Sequence, residues 1–117
     1  ADGYWSEVWM KETVVNTMWG QRPADQILNE DWRSGAPWNE TYWNRADFDQ
    51  LLDEARRELD FEKRKALYHR LQRILYEEGG SFIPYHVNQP VALTARVSGF
   101  QAVFTDAVRY HLIHVSD

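Results

Sequence analysis

The chain has 117 residues, of which 44% are hydrophobic and 15% aromatic, so it can form one folded domain rather than a disordered tail. Its net charge of −5 argues against nucleic-acid binding, because phosphate recognition needs a basic surface. Cysteine is absent, which excludes disulfides and thiolate chemistry, and no apolar run approaches the roughly 20 residues that cross a bilayer, so direct membrane insertion is not expected.

The N-terminal part of the chain predicts short elements. Residues 13–19 are rich in β-branched and aromatic side chains, which favours a strand that Gly20 ends. Pro23 suits the first turn of a helix, because its fixed backbone angle matches that position. The predicted elements are a helix (4–10), a strand (13–19), a helix (24–32), a loop (34–37) and an aromatic-rich loop (38–43).

The clearest pattern lies in residues 43–88, where a short acidic turn joins two amphipathic helices. Asp47 is predicted to cap the first helix, with Gln50 completing a capping-box-like pair. Asp53 and Arg57 lie one turn apart in the order that favours an ion pair. The predicted apolar stripe of this helix consists of Phe48, Leu51, Leu52, Ala55 and Leu59.

A second helix follows the acidic turn, and Asp60 is predicted to cap it. Gly79 is predicted to end it in the left-handed conformation that glycine adopts readily. Residues 81–87 then predict a short strand, and Pro84 places it at a sheet edge or beside a bulge, since proline cannot donate to a ladder. The predicted stripe of the second helix consists of Ala66, Leu67, Leu71, Ile74 and Leu75, with Tyr68 alongside.

The C-terminal part predicts further extended structure. Residues 91–97 predict an extended segment, residues 98–100 a turn, and residues 107–115 a final strand. Helices and strands therefore interleave, which predicts an α/β or α+β fold in a single domain over residues 1–117.

Several motifs follow one another along the chain in a definite order. They are Trp-Gly at 19–20, Ala-Pro-Trp-Asn-Glu-Thr at 36–41, the helix pair, Ile-Pro at 83–84 and Val-Ser-Gly-Phe at 97–100. In this order they resemble the C-terminal region of family 5 of the extracytoplasmic solute-binding proteins of ABC importers, the dipeptide, oligopeptide and nickel class. The resemblance implies a fragment of the C-terminal lobe of a larger, two-lobed protein. Its fold would be the type II periplasmic-binding-protein fold, with helices packed on a small mixed sheet.

The resemblance also implies a function in which no covalent bond is made or broken. The parent protein would capture a small solute between its lobes by hinge closure, in the periplasm or at a lipid-anchored extracytoplasmic site. It would then deliver the solute, a peptide, a peptide-like compound or an oligosaccharide, to the transmembrane subunits of an ABC permease. We expect no cofactor, no metal and no enzymatic activity, and negligible affinity for the fragment alone because it supplies half a cleft at best.

Six residues are candidates for ligand binding: Trp19, Gly20, Arg22, Asp25, Trp38 and Asn39. Members of the family carry Trp-Gly at a strand end before a polar loop that faces the ligand, and ligands of open α/β sheets bind beyond such ends. The alternative for Trp19 is a side chain that packs a core or covers an edge. Arg22 either fixes a ligand carboxylate or is a surface residue.

The other candidates have alternatives as well. Asp25 either pairs with a ligand or is a first-turn acid that the helix dipole favours. Trp38 and Asn39 either contact a ligand or belong to a loop pinned by buried rings. Peptide-binding members usually carry an acidic loop after Trp-Gly, whereas this chain carries Gln-Arg-Pro at 21–23.

Two further functions come from other classes. One is a small carbohydrate-active enzyme domain that uses the tryptophan loop and a pair of carboxylates with different pKa values. The other is a helical interaction module that binds a partner and no small molecule. The sequence has no GxSxG, P-loop, HExxH or dinucleotide motif. His111 and His114 lie three apart in a predicted strand, where they face opposite sides, so no metal site is expected.

Overall fold

The structure is a computed structural model that describes residues 3–88, 90–102 and 108–116. The chain divides into two compact units, which are described separately. One contains Ala1–Met18 and Pro23–Ser81, and the other contains Trp19–Arg22 and Phe82–Asp117. The described residues are helix-rich, with one small antiparallel sheet of two strands, which is compatible with an α+β fold.

The helix pair dominates the first unit, as predicted. The α-helices are α1 (Ala24–Ile27), α2 (Ala46–Arg57) and α3 (Phe61–Glu78), and α2 packs on α3. Helix α1 continues as a π-helical turn, Leu28–Trp32, so the prediction of a helix over residues 24–32 is confirmed.

A dry core lies between these helices because the apolar residues of each recur at helical spacing. Phe48, Leu52 and Leu71 have no exposed surface. Leu59 is wrongly predicted as core: it is 90% exposed, because α2 ends at Arg57 and the stripe ends with it. Ala66 is also exposed and not part of the core. The complete buried cluster is Leu28, Trp32, Phe48, Leu51, Leu52, Ala55 and Leu71.

The predicted cap of α3 is confirmed, and that of α2 is wrong. The Asp60 carboxylate accepts the backbone N–H of Lys63 at 2.9 Å. Helix α2 instead begins at Ala46 after Arg45, whose guanidinium holds the Asp47 carboxylate at 2.6 Å. Asp47 therefore lies inside the first turn of α2, one residue past the helix start, and is not the residue that caps it.

Asp53 also pairs differently from the prediction. Its carboxylate lies 2.7 Å from the guanidinium of Arg33, a residue from the loop after the π-helical turn. The hydrogen bond from Arg33 is the main cause that lowers the pKa of Asp53, and the charge of Arg57, the predicted partner within α2, lowers it further. The contact with Arg33 fixes the loop against α2.

The predicted strands of residues 13–19 and 81–87 are wrong, since no ladder forms over either stretch. In the first, Val14 and Met18 are 86% and 85% exposed. Strand propensity describes how side chains fit a paired, half-buried surface, and these residues have no paired strand. The predicted helix over residues 4–10 is shorter, a π-helical turn over Tyr4–Val8.

The second unit contains the sheet. Strand β1 (Val97–Ser98) pairs antiparallel with β2 (His114–Val115), with Val97 opposite Val115. The sheet is therefore antiparallel and not the predicted mixed sheet. The predicted strand over 107–115 is mostly wrong, because a 3₁₀ turn occupies Tyr110–Leu112, and residue 107 lies outside the described residues.

Two glycines are required for different reasons. Gly99 forms the predicted turn with φ +76°, and a Cβ there would lie 1.8 Å from the Leu112 carbonyl oxygen. Gly79 ends α3 with an extended backbone at φ −69°, so the left-handed prediction is wrong. A Cβ on Gly79 would instead lie 2.4 Å from the Leu75 carbonyl oxygen, so glycine is needed there for close approach.

Within the described ranges, no helix combines the length and the apolar character that a membrane crossing needs.

Candidate functional site

The six predicted site residues fall into both compact units. Trp19, Gly20 and Arg22 belong to the second unit, and the others, Asp25, Trp38 and Asn39, belong to the first. The two groups are therefore considered one at a time.

Trp19, Gly20 and Arg22 contact one another. The guanidinium carbon of Arg22 lies 5.0 Å from the centre of the Trp19 ring, a cation–π distance. Its Nη1 also donates a hydrogen bond to the Gly20 carbonyl oxygen at 3.0 Å. Trp19 does not end a strand, contrary to the prediction. The indole and the carbonyl together orient a planar, permanently charged fork that suits carboxylate recognition.

Asp25 is engaged in a network that joins the three α-helices. Its carboxylate accepts hydrogen bonds from the Tyr68 hydroxyl at 2.8 Å and from Asn29 Nδ2 at 3.2 Å, and it lies 3.2 Å from the Arg56 guanidinium. Burial, followed by the hydrogen bond to Asp25, raises the pKa of Tyr68 to about 12. These contacts favour the structural alternative, in which Asp25 anchors α1 to the helix pair.

Asn39 is buried, with 4% of its surface exposed. Its Nδ2 donates to the carbonyl oxygens of Arg33 and Trp43, and its Oδ1 accepts the Trp43 backbone N–H at 3.0 Å and the Thr41 hydroxyl at 3.3 Å. Ligand binding by this amide would require breaking the bonds that shape the loop. Trp38 differs, because 45% of its surface is exposed in the same loop.

A carboxylate pair, in which Asp31 is buried and Glu40 half-buried, was missed from the sequence. Asp31 is 4% exposed and lies near Glu40, whose backbone N–H donates to its carboxylate. Its Oδ1 atom has no hydrogen-bond partner within the described part of the chain. The Glu40 carboxylate in turn accepts the indole N–H of Trp9 at 2.7 Å. This cluster connects the N-terminal segment, the π-helical turn and the aromatic loop.

The environment of Asp31 changes its acidity. Burial, and then the negative charge of Glu40, raise the pKa of Asp31 from 3.8 to about 7. A carboxyl with this pKa carries its proton under mildly acidic conditions and is the type of group that acts as a general acid. A signal was available in the sequence, because Leu28, Asp31 and Trp32 share helical spacing and so lie on one face.

Two other features do not add a site. In the ranges that the structure describes, no three His, Cys, Asp or Glu side chains gather in a way that holds a metal ion. A shallow, solvent-open depression on α2 contains none of the six predicted residues. It is lined by Gln50, Asp53, Glu54, Arg57, Glu58 and Leu59.

No protein-family model matches the chain, and no curated protein or solved structure shows significant similarity to it. The family resemblance therefore rests on the sequence motifs alone.

Proposed function

We propose that the chain is part of the C-terminal lobe of a solute-binding protein of an ABC importer. The parent protein binds a small solute between two lobes outside the cytoplasm and passes it, chemically unchanged, to a membrane permease. The observation that carries the proposal is the guanidinium of Arg22, stacked 5.0 Å from the Trp19 ring and bonded to the Gly20 carbonyl.

The chemistry of this cluster fits a solute with a carboxylate. A guanidinium that already stacks on an indole loses less conformational freedom when it binds than a free arginine side chain does. A guanidinium presents parallel N–H groups that match both oxygens of a carboxylate, which gives orientation as well as affinity. A peptide or peptide-like compound has such a group. An oligosaccharide would use the indole face instead.

The helix pair supports the proposal in a different way. A rigid lobe is needed for hinge closure, because a lobe that deforms cannot transmit binding into domain movement. Helices α2 and α3 share a dry core, and Arg45 links the start of α2 to Glu78 at the end of α3 through a 2.5 Å ion pair. The shared core and this ion pair favour a stiff helix pair, which is a property that the proposed lobe needs.

Native mass spectrometry of the full-length parent, purified from its host, tests the proposal. We expect a bound small molecule with a carboxylate, retained in Arg70→Ala and lost in Arg22→Ala. Arg70 is the control because it is an exposed arginine on α3. A ligand retained equally by both variants would contradict the assigned role of Arg22, and a parent that converts a substrate would contradict the proposal itself.

A carbohydrate-active enzyme is the second candidate, and the Asp31–Glu40 pair is the observation that favours it. The raised pKa of Asp31, about 7, is suitable for a general acid. Its 4% exposure counts against the enzyme, because substrate must reach a catalytic carboxyl. Chromogenic glycosides distinguish the two: turnover that is lost in Asp31→Asn would favour the enzyme, and no turnover is expected from a solute-binding protein.

A further inference from the structure

Residues 82–88 expose apolar side chains and lie in neither a helix nor a ladder. Phe82, Ile83, Tyr85 and Val87 are 88%, 66%, 71% and 72% exposed. Scattered exposed apolar residues are normal, whereas a contiguous apolar stretch marks an interaction surface. The stretch belongs to the second compact unit, and its pattern indicates what covers it.

The apolar residues follow the period of a β-strand. Ile83, Tyr85 and Val87 are two residues apart, so in an extended conformation their side chains lie on one face. Alternate residues of a strand also direct their N–H and C=O groups toward the same edge. The strand edge formed by these three residues therefore has a backbone N–H donor at each position.

Pro84 lies on the opposite edge. Proline has no N–H, so that edge cannot form a complete ladder. The segment can accept a neighbouring strand on the edge of Ile83, Tyr85 and Val87, and it blocks a second strand on the other. Natural proteins use proline in this way to limit edge-to-edge association.

The charge pattern identifies the neighbour. Residues 79–95 contain no Asp, Glu, Lys or Arg, although the whole chain has a net charge of −5. Two copies of an acidic protein repel each other over most of their surfaces and approach at lower electrostatic cost along an uncharged stretch. In an antiparallel pair centred on Tyr85, the two β-branched residues Ile83 and Val87 would lie opposite each other, because each is two residues from Tyr85.

We propose that two copies of this chain associate through residues 82–88, which pair as antiparallel β-strands about a twofold axis at Tyr85. Tyr85 lies opposite its own copy, and Ile83 lies opposite Val87 of the second copy, all on one apolar face. Such an interface is isologous and closes after two copies. Because it is small, the dimer is weak and depends on concentration. This inference does not depend on the proposed transport function.

Analytical ultracentrifugation of matched proline variants tests the pairing. Val87→Pro removes an N–H from the pairing edge of each copy, and we expect the dimer dissociation constant to rise roughly tenfold or more. His86→Pro is the matched control, because residue 86 lies on the opposite edge, which Pro84 already interrupts. The dimer dissociation constant of this variant should stay within about twofold of the native value. A native chain that remains monomeric at millimolar concentration, or two proline variants that weaken the dimer equally, would overturn the proposal.

Cysteine cross-linking tests the register, because the native chain contains no cysteine. Tyr85→Cys would place two thiols on residues whose Cα atoms are about 5.5 Å apart in a hydrogen-bonded antiparallel pair, within disulfide range. In Val87→Cys, the cysteines of the two chains would lie about four residues apart along the paired strands, a distance of roughly 13 Å. We expect rapid oxidation to a covalent dimer only for Tyr85→Cys. Faster cross-linking of Val87→Cys would reject the register.

Discussion

The helix pair and the segment after it are both rich in apolar residues but bury them very differently. Phe48 and Leu52 in α2 are completely buried, whereas Phe82 and Ile83 are 88% and 66% exposed. Each turn of a helix completes its own backbone hydrogen bonds, so an apolar stripe needs only another helix to cover it. A strand needs a neighbour for its backbone as well as for its side chains. Apolar content alone therefore does not determine burial.

Truncating one phenylalanine in each region gives the largest expected difference. Phe48→Ala should lower the free energy of unfolding by about 3–5 kcal/mol, because it removes a buried ring and leaves a cavity. Phe82→Ala, the matched control, should change it by less than about 0.5 kcal/mol, because the ring is already in water. Urea denaturation followed by circular dichroism measures both. Equal losses would mean that the segment at Phe82 contributes to the cooperative core.

A second prediction concerns the buried acid of the first unit. The folded pKa of Asp31 is about 7 and its ordinary value 3.8, so the folded state holds this proton more tightly than the unfolded state. The stabilisation is complete below pH 3.8 and is lost as the pH rises through about 7. Relative to Asp31→Asn, the native chain should lose roughly 2–4 kcal/mol of unfolding free energy between pH 4 and pH 8.

Asp53 serves as a control, because its pKa shift, and therefore the pH dependence of its stabilising effect, has the opposite sign to that of Asp31. The hydrogen bond from Arg33 holds the pKa of Asp53 below its ordinary value. Its stabilisation is present above that ordinary value and is lost as the pH falls through the folded pKa. Urea titrations of both Asp→Asn variants across the pH range separate the two effects. A pH-independent difference between the native chain and Asp31→Asn would contradict the account of Asp31.

Local patterns explain which elements could be predicted. The spacing of Phe48, Leu51 and Leu52 determines which face of α2 is buried, and Asp60 caps α3 through a residue three positions away. Both signals lie within one or two helical turns. The strands predicted over residues 13–19 and 81–87 failed because a ladder depends on a second strand, and propensity does not supply one.

In the candidate site, too, local sequence patterns did not predict contacts that depend on how the chain folds back on itself. The sequence identified the loop that contains Asn39 but not the four hydrogen bonds that its amide makes there. Those bonds depend on how the chain folds back at Arg33 and Trp43. Asp31 was overlooked because acids are usually exposed, although its spacing from Leu28 and Trp32 placed it on a buried face.

The cap of α3 should have a moderate effect. Asp60→Ala removes the acceptor for the Lys63 N–H and should cost about 1 kcal/mol of unfolding free energy. Asp60→Asn keeps a side-chain oxygen and should retain most of that stability. Thermal unfolding of the two variants distinguishes loss of the cap from loss of charge. An equally large loss in Asp60→Asn would indicate that charge, and not the hydrogen bond, stabilises this helix end.

The surface ion pair between Arg73 and Glu77 should have the smallest effect. The two side chains are 2.9 Å apart, and 72% and 51% of their surfaces are exposed. Exposed pairs of this spacing contribute about 0.3–0.5 kcal/mol, and salt screens them. A double-mutant cycle with alanine at both positions, at low and high salt, measures the coupling. A coupling above about 1 kcal/mol would mean that this face of α3 is less solvated than its exposure indicates.

Isothermal titration calorimetry tests the central claim most directly. The ligand recovered from the parent protein is titrated into the parent and into this 117-residue chain. We expect saturable binding to the parent without turnover, and at least about a hundredfold weaker binding to the chain alone, because one lobe cannot enclose the solute. Binding of equal strength to the chain alone, or conversion of the ligand to a product, would contradict the assignment of this chain to one lobe of a solute-binding protein.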